Sequence, residues 1–256
     1  MGRFVGWGLI GLMVYHFFYP YIWKTDQVRY RVTVAIDTAK GLKTGSGVWG
    51  YSEAPRFGVP VYSIKWSYSP RLEGEAFPIM LDNGKLVYVA FGRRNISTEY
   101  GVEGIVARFQ DGYAPFGALR KGGLGYPEYL KNEWDNARAK IDWTKAQKGK
   151  VVTLNCVPAL HTNTSSDCPA LVQVVQPPPT PAVRLLDVSR LDQEFGPGVR
   201  LRSMTLEVVS DPISHGIERW LPWLDSWIRE QPISSPRTET DEIIATGLCR
   251  SDPTRL

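Results

Sequence analysis

Asp211, Ser214 and His215, in the stretch Asp211-Pro-Ile-Ser-His-Gly216, are of the types that hydrolytic chemistry uses. A serine nucleophile needs a base within hydrogen-bond reach and an acid to orient that base. The same spacing suits a turn after a strand, with the Asp and Ser side chains bonding nearby amides. The chain has no G-x-S-x-G elbow, so these three are weak catalytic candidates. Of the other histidines, His16 lies in an uncharged N-terminal stretch and His161 lies between two cysteines. Neither His161 nor His215 has a second histidine or a cysteine pair at ligand spacing, and no metal or cofactor is expected. Gly45-Ser-Gly-Val-Trp-Gly50 formally matches the dinucleotide fingerprint G-x-G-x-x-G. That motif needs a helix start, whereas this run continues as a strand with Trp49 and Tyr51 on one face; its glycines read as turn and bulge residues. Glycoside hydrolysis asks only for two carboxylates, and 26 acidic residues leave too many pairs for spacing to select one.

The most distinctive aromatic cluster is Trp220, Trp223 and Trp227 within residues 216–230. Pro222 suits a helix start, and the three rings with Leu224 and Ile228 then crowd one side. Such a stripe packs on a sheet in the commonest case. Exposed, it would lie at a membrane interface, stack on sugars or dock a partner, which makes these three the binding candidates.

Cys156 and Cys168 flank a polar loop between two strand-like runs and have the spacing to close a short disulfide. That bond belongs to an oxidising compartment. Cys249 has no evident partner, and two free thiols in a cytoplasmic domain remain the alternative.

Residues 4–23 contain no Asp, Glu, Lys or Arg. About 20 such residues in a helix span the ~30 Å hydrocarbon core of a bilayer. Trp7, Tyr15, Tyr19, Tyr21 and Trp23 supply an aromatic belt, and Lys24 follows as a basic anchor. The run ends in Tyr-Ile-Trp-Lys-Thr-Asp and not in the small residues of a cleavage site, so it reads as an uncleaved signal anchor. Lys24, Arg29 and Arg31 against Arg3 would keep the domain inside by the positive-inside bias; the cysteine pair points outward. Large domains translocate with little regard for flanking charge, and the reading is a cytoplasmic N-terminus with a periplasmic domain.

Elements that position these groups follow from periodicity. Val28, Tyr30, Val32, Val34 and Ile36 alternate with polar residues as a half-buried strand, a turn falls at 38–43, and 44–51 returns. Residues 75–81 and 85–91 form a hairpin about Asp82-Asn83-Gly84, its second strand apolar on both faces and therefore central. Tyr126, Leu130, Trp134, Ala137 and Ile141 predict a helix over 126–145, with Glu128, Lys131, Asp135, Arg138 and Lys140 on the solvated side. Strands are predicted at 151–156, 171–176, 183–188 and 199–209, the last bulged near Ser203. Residues 177–181 read as an extended proline connector, and Ser189 as the cap of a short helical turn ending at Gly196-Pro-Gly. The expected fold is a β-rich α+β ectodomain with antiparallel hairpins and one long amphipathic helix, behind a single transmembrane helix. Its divisions are an anchor (1–23), a β-rich subdomain (24–125), a helix plus α/β subdomain (126–230) and a flexible tail (231–256).

The stretches Pro169-Ala-Leu-Val, Val183-Arg-Leu-Leu-Asp-Val through Leu191, Phe195-Gly-Pro-Gly-Val-Arg-Leu, Thr205-Leu-Glu-Val, Gly216-Ile-Glu and Leu221-Pro-Trp-Leu resemble a group of proteobacterial hypothetical proteins. Thr44-Gly-Ser-Gly-Val, Gly74-Glu-Ala-Phe-Pro-Ile and Asp82-Asn-Gly-Lys extend the resemblance into the N-terminal half. It implies a bacterial, membrane-anchored chain and no activity.

Lys and Arg number 30 against 26 acidic residues, a net charge of 30 − 26 = +4 without a dense basic run, which argues against a nucleic-acid surface. The expectation is a single-pass inner-membrane envelope protein with a non-catalytic binding or scaffolding ectodomain, whose partner is another envelope protein or a glycan. The alternatives are an envelope hydrolase acting on glycan or peptide, with His215 as base, and an accessory subunit of a larger membrane complex.

Overall fold

Alternating apolar residues from Val28 onward build the first strand of a computed structural model that describes residues 26–58, 65–90, 126–154, 156, 168–176, 181–230 and 248–250. Strand β1 (Val28–Thr38) buries Val28, Tyr30, Val32 and Val34 and turns Arg29, Arg31 and Thr33 outward. Its turn to β2 (Gly41–Gly58) is tighter than the expected 38–43, with two residues between the strands. Gly41, at φ +119°, takes the left-handed conformation this requires, and the Thr38 hydroxyl donates to its carbonyl at 2.6 Å. Strand β3 (Lys65–Glu75) leads into the hairpin of β4 (Phe77–Met80) and β5 (Leu86–Ala90). There Gly84 sits at φ +75° and Asn83 Oδ1 accepts the Lys85 amide at 3.0 Å, the turn chemistry expected of Asn-Gly.

Helix α1 (Tyr126–Ala146) is followed by β6 (Val151–Thr153), β7 (Ala170–Gln176), β8 (Ala182–Leu185), α2 (Leu191–Phe195) and β9 (Arg200–Val209). A 3-10 turn (Ile217–Arg219), α3 (Leu224–Glu230) and β10 (Cys249–Arg250) complete the described elements. Two antiparallel sheets result, ordered β10-β3-β2-β1-β9-β6 and β4-β5-β7-β8. Strand β5 is internal and buries Val87, Tyr88, Val89 and Ala90, as its two apolar faces demand. The β1–β9 register shifts where Ala35 faces Ser203 and Ile36 faces Leu201, leaving Arg202 as the extra residue of the expected bulge.

Several expectations are corrected. Ser189 does not cap α2; its amide and hydroxyl both donate to Asp187 Oδ1, at 2.9 and 2.7 Å, and Arg190 holds the cap position without a side-chain bond. A nearby carboxylate thus outcompetes the unpaired helix amides for the serine. Gly45 and Gly47 lie inside a strand and not in a turn, because Phe77 and Ile79 pack against them. A Cβ at Gly45 would stand 2.6 Å from Ile79 Cγ1, and one at Gly47 would strike the Phe77 ring. Lys140, expected on the solvated side of α1, is turned inward. Ala137, Ile141 and Thr144 form the buried stripe of the helix's described half. Within 231–256, read from the sequence as a tail, Leu248 is fully buried and β10 pairs with Glu75 and Gly74.

The described residues fall into two compact units, one drawn from within Met1–Val28, Tyr51–Arg71 and Gln110–Ala146, the other from within Arg29–Gly50, Leu72–Phe109 and Gln147–Leu256. Each is assembled from three separate segments of the chain. In the second unit, Tyr30 meets Trp49 edge to face with centroids 6.4 Å apart, and Trp49 lies tilted on Phe77 at 6.1 Å. A further cluster there joins Tyr88, Val172, Val183, Ile217, Leu221, Leu224, Trp227 and Leu248.

Residues 4–23 and the connector at 177–180 lie outside the described residues. Among those described, no helix is long and apolar enough to cross a membrane.

Candidate functional site

Glu75 closes β3 with its side chain only 10% exposed, and the chain segment 214–217 is tied to it. Its Oε2 accepts the amides of Gly216 at 2.6 Å and Ile217 at 2.9 Å, and its Oε1 lies 3.4 Å from His215 Nδ1. Gly216, at φ +108°, is the N-cap of the 3-10 turn and has no side chain to satisfy the turn's first amides. A remote carboxylate does so instead. The Glu75 backbone carbonyl accepts Trp49 Nε1–H at 2.9 Å, which fixes the strand end that carries the acid. His215 is 61% exposed in its side chain, so a buried carboxylate backs an imidazole open to solvent. That is the orienting half of a general base, with one ring nitrogen held and the other available.

The other two members of the sequence-level set point elsewhere. Ser214 Oγ accepts the Val48 amide at 2.8 Å, and the Ser214 amide donates back to Val48 O at 2.8 Å, so the serine continues the backbone pairing of β2. Asp211 Oδ2 accepts from Arg31 at 2.8 Å, and Arg31 also donates to Glu207 at 3.0 Å. Asp211, Ser214 and His215 are therefore neighbours in sequence that bond to three different elements.

The tryptophans divide as well. Trp227 is 8% exposed inside the cluster with Tyr88 and Leu224, Trp223 is half-buried against it, and Trp220 is 43% exposed. Cys156 and Cys168 are joined by a disulfide, with Cα atoms 5.4 Å apart. His161 lies outside the described residues, and among those described no group of three His, Cys, Asp or Glu is placed to hold a metal ion.

A second polar cluster, in the first unit, has no counterpart among the sequence candidates. Glu53 Oε1 lies 2.7 Å from Lys140 Nζ and accepts the Tyr51 hydroxyl at 2.7 Å, while Lys140 also donates to that hydroxyl at 3.2 Å and lies over the Tyr51 ring. Tyr51 is fully buried, and the Glu53 and Lys140 side chains are 10% and 14% exposed. One signal was available: Tyr51 and Glu53 are two apart on a strand, so they share a face, and an acid beside a buried tyrosine needs a partner. Glu75 carried no comparable signal, because its partners are backbone amides 141 and 142 residues away.

No family model, curated protein or solved structure matches the chain.

Proposed function

We propose that the chain is a single-pass protein of the bacterial envelope, anchored in the inner membrane by residues 4–23, whose β-rich, disulfide-linked domain faces the periplasm and acts by binding. The observation that carries this reading is the Cys156–Cys168 bond, since such bonds persist in oxidising compartments and are rare in the cytosol. The uncharged 20-residue segment with its aromatic belt supports the anchor. Binding is supported by the separate engagements of Asp211 and Ser214, which hold Arg31 and Val48 and not His215. Trp220, 43% exposed, is an aromatic ring suited to a glycan or an envelope protein. The test is protease accessibility. In spheroplasts, added protease should remove the domain and leave a short membrane-held fragment; protection until the membrane is lysed would refute the topology.

A second reading, an envelope hydrolase acting on glycan or peptide, is favoured by the Glu75–His215 pair. His215→Ala would abolish turnover of peptidoglycan or peptide substrates if that reading holds, and would leave binding through Trp220 unchanged if it does not.

A further inference from the structure

We infer that the sheet edge around residues 148–151 rests on the anionic headgroup layer of the membrane, an inference built on the anchor reading above. The expected anchor ends at Trp23, and the six steps from Trp23 to Arg29 extend at most about 20 Å. The Arg29 end of β1 is therefore tethered close to the bilayer surface. Antiparallel pairing carries that proximity across the sheet, because Arg31, Glu207 and Val151 stand in one row from β1 through β9 to β6. Beyond this row Gly149 donates to Val208 O at 2.9 Å, which holds the Lys148–Lys150 turn at the same end.

The charge and apolar character of this end suit a lipid headgroup. Arg29, Arg31, Lys148 and Lys150 face the two acids Glu207 and Asp211, a balance of 4 − 2 = +2. Arg29 donates to the carbonyls of Ser210 and Asp211, and Arg31 to the two carboxylates. Lys148 and Lys150 are exposed and hold no ion pair among the described residues. Beside them Val151 is 60% exposed on the outer face of the edge strand. An open cleft of about 460 Å³ lined by Arg31, Lys148, Glu207 and Asp211 separates the turn from the sheet end. Basic side chains flanking an exposed aliphatic one are what an anionic interface attracts, within a Debye length of its surface.

Lys40 supplies an internal control. It is exposed in the turn at the opposite end of β1, about 25–30 Å away along the strand. The experiment uses the full chain in bilayer nanodiscs of phosphatidylcholine alone or with phosphatidylglycerol, pulse-acetylated with an uncharged reagent and mapped by mass spectrometry. Lys148 and Lys150 should react at least about threefold more slowly in the anionic discs, with Lys40 unchanged. Equal rates for Lys148 and Lys150 in both lipids, or equal slowing of Lys40, would overturn the inference. An alkaline wash separates the two failures: a chain stripped from the bilayer refutes the anchor and the inference with it, whereas a chain that stays but labels independently of lipid charge refutes the inference alone.

Discussion

Glu53 and Glu75 are both buried acids on strands, and they are satisfied in opposite ways. Glu53 faces side chains, the Lys140 ammonium and the Tyr51 hydroxyl. Glu75 faces backbone, the amides of Gly216 and Ile217, with an exposed imidazole as its third neighbour. A side-chain partner can be deleted together with the acid it serves, and an amide cannot. The contacts among Tyr51, Glu53 and Lys140 are therefore removable together by apolar replacements, whereas Glu75 is required by the path of the chain at 214–217. The difference also separates their chemistry: the first cluster joins side chains that are nearly all buried, and the second sets an exposed imidazole beside a buried carboxylate.

The largest expected effect comes from splitting the first cluster. Lys140→Met should destabilise the protein by about 3–5 kcal/mol, because it removes the cation from a buried carboxylate. The triple variant Tyr51→Phe, Glu53→Leu, Lys140→Met should recover most of that loss, since well-packed apolar replacements of buried pairs are close to neutral. Urea midpoints read both. Next, Glu75→Leu should cost about 2–4 kcal/mol as the buried Ile217 amide and the half-buried Gly216 amide lose their acceptor. Adding His215→Leu should not restore it, because the amides remain; recovery in that double variant would erase the contrast between the clusters.

Smaller effects sharpen the same contrast at the surface. His215→Ala alone should change stability by less than about 0.5 kcal/mol, as expected of an exposed side chain that orients nothing structural. Asp82 is a partly buried acid whose carboxyl is pulled down to about 2, first by Lys43, then by Thr38 and by the Lys40 amide. Its folded value lies below the ordinary value of about 4, so its contribution is complete above that pH and is lost as pH falls through about 2. The stability difference between the parent and Asp82→Asn should accordingly persist at neutral pH and vanish near pH 2; a constant difference would mean the carboxylate charge is irrelevant there.

Local rules made much of the fold readable. The period-two run from Val28, the Asn83-Gly84 turn, the central β5 and the bulge beside Ser203 each rest on neighbours in sequence, and each is present. What eluded the sequence depends on distant pairing. Gly45 and Gly47 are explained by Phe77 and Ile79, which the β4 hairpin brings over them. Ser214 is spent on Val48, 166 residues away, so its proximity to His215 in sequence carried no chemical meaning. The tryptophan stripe was legible as a stripe, but only the packing of Tyr88 and Leu224 around Trp227 shows which ring is core and which is exposed.

The compartment is the claim on which the binding reading and the lipid contact both depend, and the Cys156–Cys168 bond tests it most directly. Intact cells and lysates would be alkylated before and after reduction, and the peptides carrying the two cysteines mapped by mass spectrometry. A bridged pair that alkylates only after reduction is the predicted result. Two thiols alkylated without reductant, in cells lysed under conditions that trap native redox states, would contradict it and return the domain to the cytoplasm.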